Sequence, residues 1–223
     1  MLELEAREAY ERLAPRYPAY AHNALMKAEE RAVLAALPRT LAGQRVLDLG
    51  CGTGRYMRIA RERGACEIVG IDISPAMLRA NRESHRLQAA LTSLPMRSGW
   101  ADLVICALVL GNVEALGAAL GEVARASRAG ARILCTDIHP TGAARGWRRN
   151  FRCGDQDMTV KHYYRDAVSW RQATGAAGLQ VRRITDIRAT DADIGGQTGF
   201  DPAVRELPVA ILYELRKSPV RRS

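Results

Sequence analysis

Between about positions 40 and 140 the chain alternates short apolar runs with stretches in which apolar residues recur every three or four positions. The runs are Arg45 to Leu49, Glu67 to Ile71, Asp102 to Ala107 and Arg132 to Thr136, each rich in Val, Ile and Leu and bounded by Gly or polar residues. Continuous apolar runs of this length mark strands covered on both faces, so these four read as buried parallel strands. The periodic segments between them start near Gly54, Ser74 and Asn112 and read as helices. Ser74-Pro75 is the clearest start, because Ser caps the helix and Pro suits its first position. Strands alternating with helices predict βαβ units, hence an α/β fold built on a mainly parallel sheet with helices on both faces.

The flanks are predicted less regularly. Apolar residues at helical spacing give one helix from about Glu3 to Ala14, interrupted by Pro15 and Pro18, and a second from about His22 to Leu37, closed by Pro38. Together residues 1–40 are expected to form a helical N-terminal cap. A weak strand is placed near Gln88 to Ala90. Residues 139–165 are polar and contain Gly142, Gly146 and Gly154; they read as an insert, or lid, over the sheet edge. A helix from about Asp166 to Ala177 stops at Gly178. Strands at Leu179 to Arg188 and about Glu206 to Arg216 follow, and residues 217–223 are expected to be a disordered tail.

Composition narrows this picture. With 223 residues and 48% hydrophobic side chains the chain is long enough to bury one substantial core and too apolar to stay disordered. The longest apolar run, Ala101 to Leu110, already contains Asp102 and is about half of the roughly 20 residues needed to cross a bilayer. The N-terminus Met1-Leu2-Glu3-Leu4-Glu5 is acidic where a signal peptide is basic, so a soluble, cytoplasmic protein with no membrane span is expected. Five cysteines, an odd number without a CxxC pair, point to buried thiols in a reducing compartment and to no metal site. The net charge is +9, from 33 basic and 24 acidic residues, which can attract nucleic acid, acidic lipid or anionic small molecules. The basic residues are scattered, apart from Arg145, Arg148, Arg149 and Arg152 and the tail from Arg216 to Arg222.

The strongest local signal is Val46-Leu47-Asp48-Leu49-Gly50-Cys51-Gly52-Thr53-Gly54, a buried strand running into three glycines and then a helix. Glycines at that point let the chain turn sharply and bring backbone N–H groups close to a ligand at the carboxyl edge of a parallel sheet. The dinucleotide pattern G-x-G-x-x-G requires glycine at position 55, which is Arg. Asp72 stands at the tip of the next strand, in Val69-Gly70-Ile71-Asp72-Ile73, where a carboxylate accepts hydrogen bonds from both hydroxyls of a ribose and Ile73 covers one face of an adenine. For Asp72 the alternative is a helix-capping or surface carboxylate. For Asp48 it is a buried carboxylate that pins the loop through its N–H groups.

These motifs resemble those of the class I S-adenosylmethionine-dependent methyltransferases, most closely the ubiquinone/menaquinone C-methyltransferase-like branch. VLDLGCGTG is similar to the first motif and VGIDISPAML to the second. The segment from Leu94 to Val104 is similar to the LPF-type lead into the fourth strand, Arg128 to Leu134 to the turn into the fifth, and Tyr10 to Tyr17 to an N-terminal cap motif. The resemblance covers about Tyr10 to Pro140 and implies that residues 1–223 form one methyltransferase domain. The fold implied is Rossmann-like: a seven-stranded, mostly parallel sheet with an antiparallel last strand, helices on both faces and an N-terminal helical cap. The cofactor implied is S-adenosyl-L-methionine, leaving as S-adenosyl-L-homocysteine.

Carried over position by position, the resemblance implies that Gly50, Gly52 and the neighbouring backbone face the methionine part of the cofactor, Asp72 the ribose, and Ile73 and Met77 the adenine edge, with Asp48 and Cys51 also among the cofactor-binding residues. Relatives commonly carry an acidic residue for the adenine amino group where this chain has Ala90, so adenine is expected to be held by the backbone near Leu94 and Pro95, by Met96 and by apolar cover. Ala107 offers a carbonyl to the cofactor ammonium, and Tyr17 or Tyr20 bonds its carboxylate. The sulfonium methyl is already activated, so the enzyme has to align the acceptor and exclude water, and a base is optional. His139 and His162 are the candidate bases. Trp147, Arg149, Tyr163 and Tyr164, in the insert, are the candidate acceptor-binding residues, an aromatic and cationic set suited to an aromatic or anionic small molecule.

The activity implied is methyl transfer to O, N or C of a small, aromatic or quinone-like metabolite by a monomer or homodimer (EC 2.1.1.-). Two alternatives stay open: a nucleic-acid methyltransferase and a non-catalytic S-adenosylmethionine-binding protein. Nucleic acid is disfavoured because Ala107 to Asn112 lacks the Asn/Asp-Pro-Pro-aromatic motif of base-amino methylation.

Overall fold

The computed structural model describes residues 1–197 and 201–218. Its centre is a seven-stranded sheet made of β2 (Arg45–Leu49), β3 (Glu67–Asp72), β4 (Arg86–Gln88), β5 (Ala101–Ala107), β6 (Ser127–Ile138), β9 (Leu179–Arg188) and β10 (Pro208–Lys217). The remaining strands, β1 (Leu2–Leu4), β7 (Asn150–Cys153) and β8 (Gln156–Val160), form a separate three-stranded sheet. The order across the large sheet is β4-β3-β2-β5-β6-β10-β9. Strands β4 to β6 in that order run parallel, whereas β10 is antiparallel to both β6 and β9. The chain builds outward from β2 through β3 to β4, then returns to the other side of β2 for β5. That reversal opens a crevice at the carboxyl ends of β2 and β5, where open α/β sheets bind ligands.

Each central strand is buried on both faces, which is why its sequence is a run and not an alternation. Leu47, Leu49, Val104, Cys106, Ile133 and Cys135 point into one core layer, shared with α5 (Leu116–Ala126) and α7 (Ala167–Ala176). Val46, Leu103, Ile105 and Leu134 point into the other, shared with α2 (Ala24–Ala36) and α3 (Arg55–Glu62). The helix starts follow their capping residues. Asn23 accepts from the Met26 N–H, Ser74 from the Met77 N–H at the head of α4 (Pro75–Ala80), and Asp166 from the Ser169 N–H.

The flanks depart from the sequence expectation. The first helix, α1, spans Ala6–Leu13, because Leu2–Leu4 is instead the strand β1, parallel to β8. The second, α2, packs under the sheet with Val33 fully buried. The insert is not a featureless loop. It contains α6 (Pro140–Ala144) and the hairpin β7–β8, which turns at Gly154-Asp155 with Gly154 at φ 60°. Leu4, Ala9, Met158 and Val160 form a small third core where α1 meets this hairpin. A last short helix, α8 (Asp191–Ile194), opens with a capping box between Thr190 and Asp193. Strand β10 continues through Lys217, so the expected tail begins no earlier than Ser218, and positions 219–223 lie outside the described residues. Cys51, Cys106 and Cys135 are buried, but Cys66 is exposed and Cys153 half-buried, so burial does not account for all five thiols. No described helix is long and apolar enough to cross a membrane.

Candidate functional site

A cavity of about 270 Å³ lies over the crevice between β2 and β5, roofed by α1, the chain at Tyr17-Pro18 and the insert. Its floor is the glycine loop. Gly50 stands at φ 68°, and a side chain there would collide with Val109. Gly52, at φ 50°, has open space where its Cβ would be and lines the cavity, so glycine here keeps the cradle empty.

Two carboxylates face that floor. Asp72 is 8% exposed; its Oδ2 accepts from the Gly52 N–H at 2.8 Å and its Oδ1 from the Ser74 N–H at 2.9 Å. The strand tip thus holds the glycine loop in place, a job the sequence reading weighed for Asp48. Burial raises the Asp72 carboxyl above its usual range, and the N–H donors pull it back. Asp48 is more deeply buried, and its Oδ2 has no hydrogen-bond partner. Burial pushes this carboxyl up to about 7, with the Arg55 guanidinium opposing and Asp72 adding to the rise. An orphaned buried carboxylate oxygen on a cavity wall is the polar half of an unfinished interaction, and a cation completes it. The arrangement therefore fits a ligand with a ribose and a positive charge.

Beneath the loop lies a buried polar network. Glu29, fully buried on α2, accepts from Arg55 Nη2 at 2.8 Å, from the Tyr56 hydroxyl at 2.9 Å and from the Thr136 hydroxyl at 2.9 Å. Thr136 in turn accepts from the Leu108 N–H at 3.0 Å. Leu108 has φ 54°, a left-handed conformation uncommon for a non-glycine residue, and it lines the cavity just past β5. The network ties α2, α3 and β6 together and holds this strained residue in position.

The expected site residues divide into those the fold brings to the cavity and those it does not. Tyr17, Asp48, Gly50, Cys51, Gly52, Asp72, Ile73, Met77 and Ala107 line it, as do Arg149 and Tyr163 from the insert. Leu94, Pro95 and Met96 do not. The Leu94 N–H donates to Glu122 at 2.7 Å, and Arg125 takes the carbonyls of Leu94 and Met96 at 2.9 and 2.6 Å, so α5 consumes the backbone groups expected to meet adenine. The wall at that end is Ala90, Leu91 and Thr92 beside Ile73 and Met77. Tyr20 is 62% exposed, away from the cavity. Trp147 lines a second cavity and donates its indole N–H to Asp201 at 2.9 Å.

Neither histidine reaches the main cavity. His139 caps α6, with Nδ1 accepting from the Thr141 N–H at 3.1 Å, and its Nε2 lies 3.2 Å from Asp186. The His162 side chain is 6% exposed, with Nε2 2.8 Å from Asp137 Oδ1 and its ring stacked on Tyr164 at 4.2 Å. Tyr163 N–H donates to the Gly111 carbonyl at 2.7 Å, and Arg165 donates to the carbonyls of Leu110 and Glu114 at 3.4 and 2.8 Å. This stretch of the insert therefore clamps the loop after β5. Among the described residues no group of three His, Cys, Asp or Glu side chains is placed to hold a metal ion. Sequence reasoning missed Tyr10, Leu108, Val109 and Asn112 on the cavity wall. The rule that ligands sit at carboxyl ends of parallel strands points to the three after β5, and Tyr10 stands in the quoted cap motif.

Residues 47–135 match the family model described as "Methyltransferase domain". Over this stretch, about two fifths of the chain, the protein is similar to methyltransferase domains. It is 36% identical over 135 residues to the malonyl-[acyl-carrier protein] O-methyltransferase of Enterobacter lignolyticus (strain SCF1), covering 58% of this chain and 52% of that one. It is 34% identical over 145 residues to the ubiquinone/menaquinone biosynthesis C-methyltransferase of Syntrophotalea carbinolica (strain DSM 2380 / NBRC 103641 / GraBd1), covering 60% and 61%. Among solved structures it resembles an S-adenosylmethionine-dependent methyltransferase from Mesorhizobium loti, with TM-score 0.69, 25% identity and coverage of 85% and 97%. The matched region spans about half the length of the first of these relatives. The matched stretch includes the glycine loop and Asp72.

Proposed function

We propose that the protein transfers the methyl group of S-adenosylmethionine to a small-molecule acceptor. The observation that carries this is the pair of buried carboxylates on one cavity wall, Asp72 at the tip of β3 and Asp48 with a free oxygen beneath the glycine loop. In this reading Asp72 keeps its two backbone donors and accepts from the ribose hydroxyls with its remaining lone pairs. Asp48 faces the positive charge. Ile73, Met77 and Leu91 sandwich the adenine. S-adenosylmethionine supplies an electrophilic methyl on a sulfonium.

The chain's own part is to orient the acceptor and keep water out. Tyr10, Asn112 and Tyr163 surround the space above Ala107 and Leu108, and Asn112 Nδ2 donates to the Tyr10 hydroxyl at 3.4 Å. His139 and His162 act as positioning residues for the insert, because both His139 ring nitrogens face Thr141 and Asp186, His162 Nε2 faces Asp137, and neither ring lines the cavity. Trp147 and Tyr164 support the same segment. The relatives named for malonyl-[acyl-carrier protein] and for ubiquinone/menaquinone biosynthesis support an acceptor that is a metabolite or a carried acyl group and not a nucleic-acid base.

Calorimetric titration with S-adenosylhomocysteine tests the reading. Wild type is expected to bind, and Asp72→Ala to bind more weakly by about 1–3 kcal/mol through two lost hydrogen bonds. Equal affinity removes the ribose role, and a wild type that answers to a nicotinamide nucleotide but not to S-adenosylhomocysteine removes the whole reading.

A further inference from the structure

Arg149 stands in the wall between two cavities. One is the site described above; the other, about 410 Å³, is lined on its apolar side by Leu25, Ile138, Trp147, Val204 and Val209. The guanidinium donates once, from Nη1 to the Tyr17 hydroxyl at 3.0 Å, and lies 6.0 Å from the centre of the Tyr10 ring. Among the described residues it has no carboxylate partner. The contrast within this molecule is direct. Arg55, on the same cavity, is paired with Glu29 and Glu30, and Arg145 and Trp147 both turn to Asp201. A half-buried guanidinium beside one tyrosine ring, bonded to one tyrosine hydroxyl and with most of its five donors unused, is costly to desolvate unless an anion completes it.

We propose that Arg149, with Tyr17 and Tyr10, forms the acceptor subsite and takes a carboxylate carried on an apolar body that extends into the second cavity. This deepens the methyltransferase reading and rests on it. Three observations favour the acceptor over the cofactor as the source of that carboxylate. Arg149 comes from the insert, outside residues 47–135 that carry the family's shared motifs. It opens onto a second cavity, walled by Asn23, Arg148, Gln197 and Asp201 as well as by the apolar residues named above, that a nucleoside does not need. The ring it faces, Tyr10, is hydrogen-bonded to Asn112 of the loop after β5, on the acceptor side. No histidine lines the main cavity, and a carboxylate arrives already charged, with no proton for a base to remove.

The test uses the full chain with octanoate as the carboxylate probe and octanol as its uncharged counterpart, each titrated by calorimetry with and without saturating S-adenosylhomocysteine. Wild type is expected to prefer octanoate by at least about tenfold, as a bidentate Arg–carboxylate pair would give. Arg149→Gln is expected to lose that preference, and Arg149→Lys to keep part of it while folding with the same circular dichroism. S-adenosylhomocysteine affinity is expected to stay within about threefold of wild type in both variants. Absence of any octanoate preference in wild type overturns the proposal. So does a fall in S-adenosylhomocysteine affinity in Arg149→Gln with that for 5′-methylthioadenosine, which lacks the amino-acid part, unchanged; Arg149 would then hold the cofactor's carboxylate. Failure of wild type to bind S-adenosylhomocysteine at all is a separate outcome that strikes the methyltransferase reading first.

Discussion

Asp48 shows how one buried side chain converts burial into ligand chemistry. Unfolded, its carboxyl titrates near about 3.9; in the fold, burial lifts it to about 7. Between those values the folded chain keeps a proton that the unfolded chain has released. The contribution of this group to stability is therefore full below about pH 4, declines as pH rises, and is gone above about pH 7. Asp48→Asn is expected to flatten the fall in melting temperature between pH 4 and 7, a difference on the order of a few kcal/mol across the window. A melting curve set that declines equally in both proteins would show that Asp48 is charged throughout. A cationic ligand beside Oδ2 favours the charged form, so binding should release a proton below pH 7 and tighten as pH rises towards it. Calorimetry in two buffers of different ionisation heat reads that proton directly.

The elements that complete the site do so by leaning on one another. The insert hairpin is a marginal element alone; it gains a third strand from Leu2–Leu4 and an apolar face from α1. Its far end is fastened to the loop after β5, where Gly111 leaves room for the His162–Asp137 pair. A methyl group at position 111 would run into both side chains. Gly111→Ala is accordingly expected to lower stability by about 1–3 kcal/mol and to raise amide exchange at positions 150–165 before the sheet opens. Unaltered exchange in that segment would mean the clamp does not hold the insert.

At the scale of the whole molecule, the cavity is bounded by pieces from three separate parts of the chain: α1 and Tyr17 from the start, β2, β3 and β5 from the middle, Arg149 and Tyr163 from the insert. A ligand that touches all of them stabilises the assembled state over the unfolded one. S-adenosylhomocysteine at a hundredfold excess over its dissociation constant should add about 2.7 kcal/mol. For a domain of this length that corresponds to a melting-temperature rise of roughly 5–10 °C, and a rise under one degree at that saturation would mean the site is not formed in solution.

How far each part was legible from sequence follows from the range of the forces that form it. The strands Arg45–Leu49 and Leu179–Arg188 and the start at Ser74-Pro75 emerge at their predicted positions, because apolar runs and capping residues act through neighbours in sequence. Gly50, Gly52 and Asp72 were legible for the same reason: a positive φ and a strand tip are local facts. Strand β1 was not, since three residues pair only because β8, some 150 positions later, offers an edge. The hairpin left a local trace in Gly154-Asp155 between alternating residues, but its partner strand left none. The histidines, Leu94 and Met96 were placed correctly along the chain, yet which way their polar atoms turn depends on Asp137, Asp186, Glu122 and Arg125, brought in from elsewhere. The sequence by itself determined the sheet, its glycine cradle and the place of Asp72 at the next strand's tip. Only the tertiary structure decided which cation stayed unpaired and which histidines turned away from the cavity, because those outcomes are settled by desolvation and pairing among residues far apart in the chain.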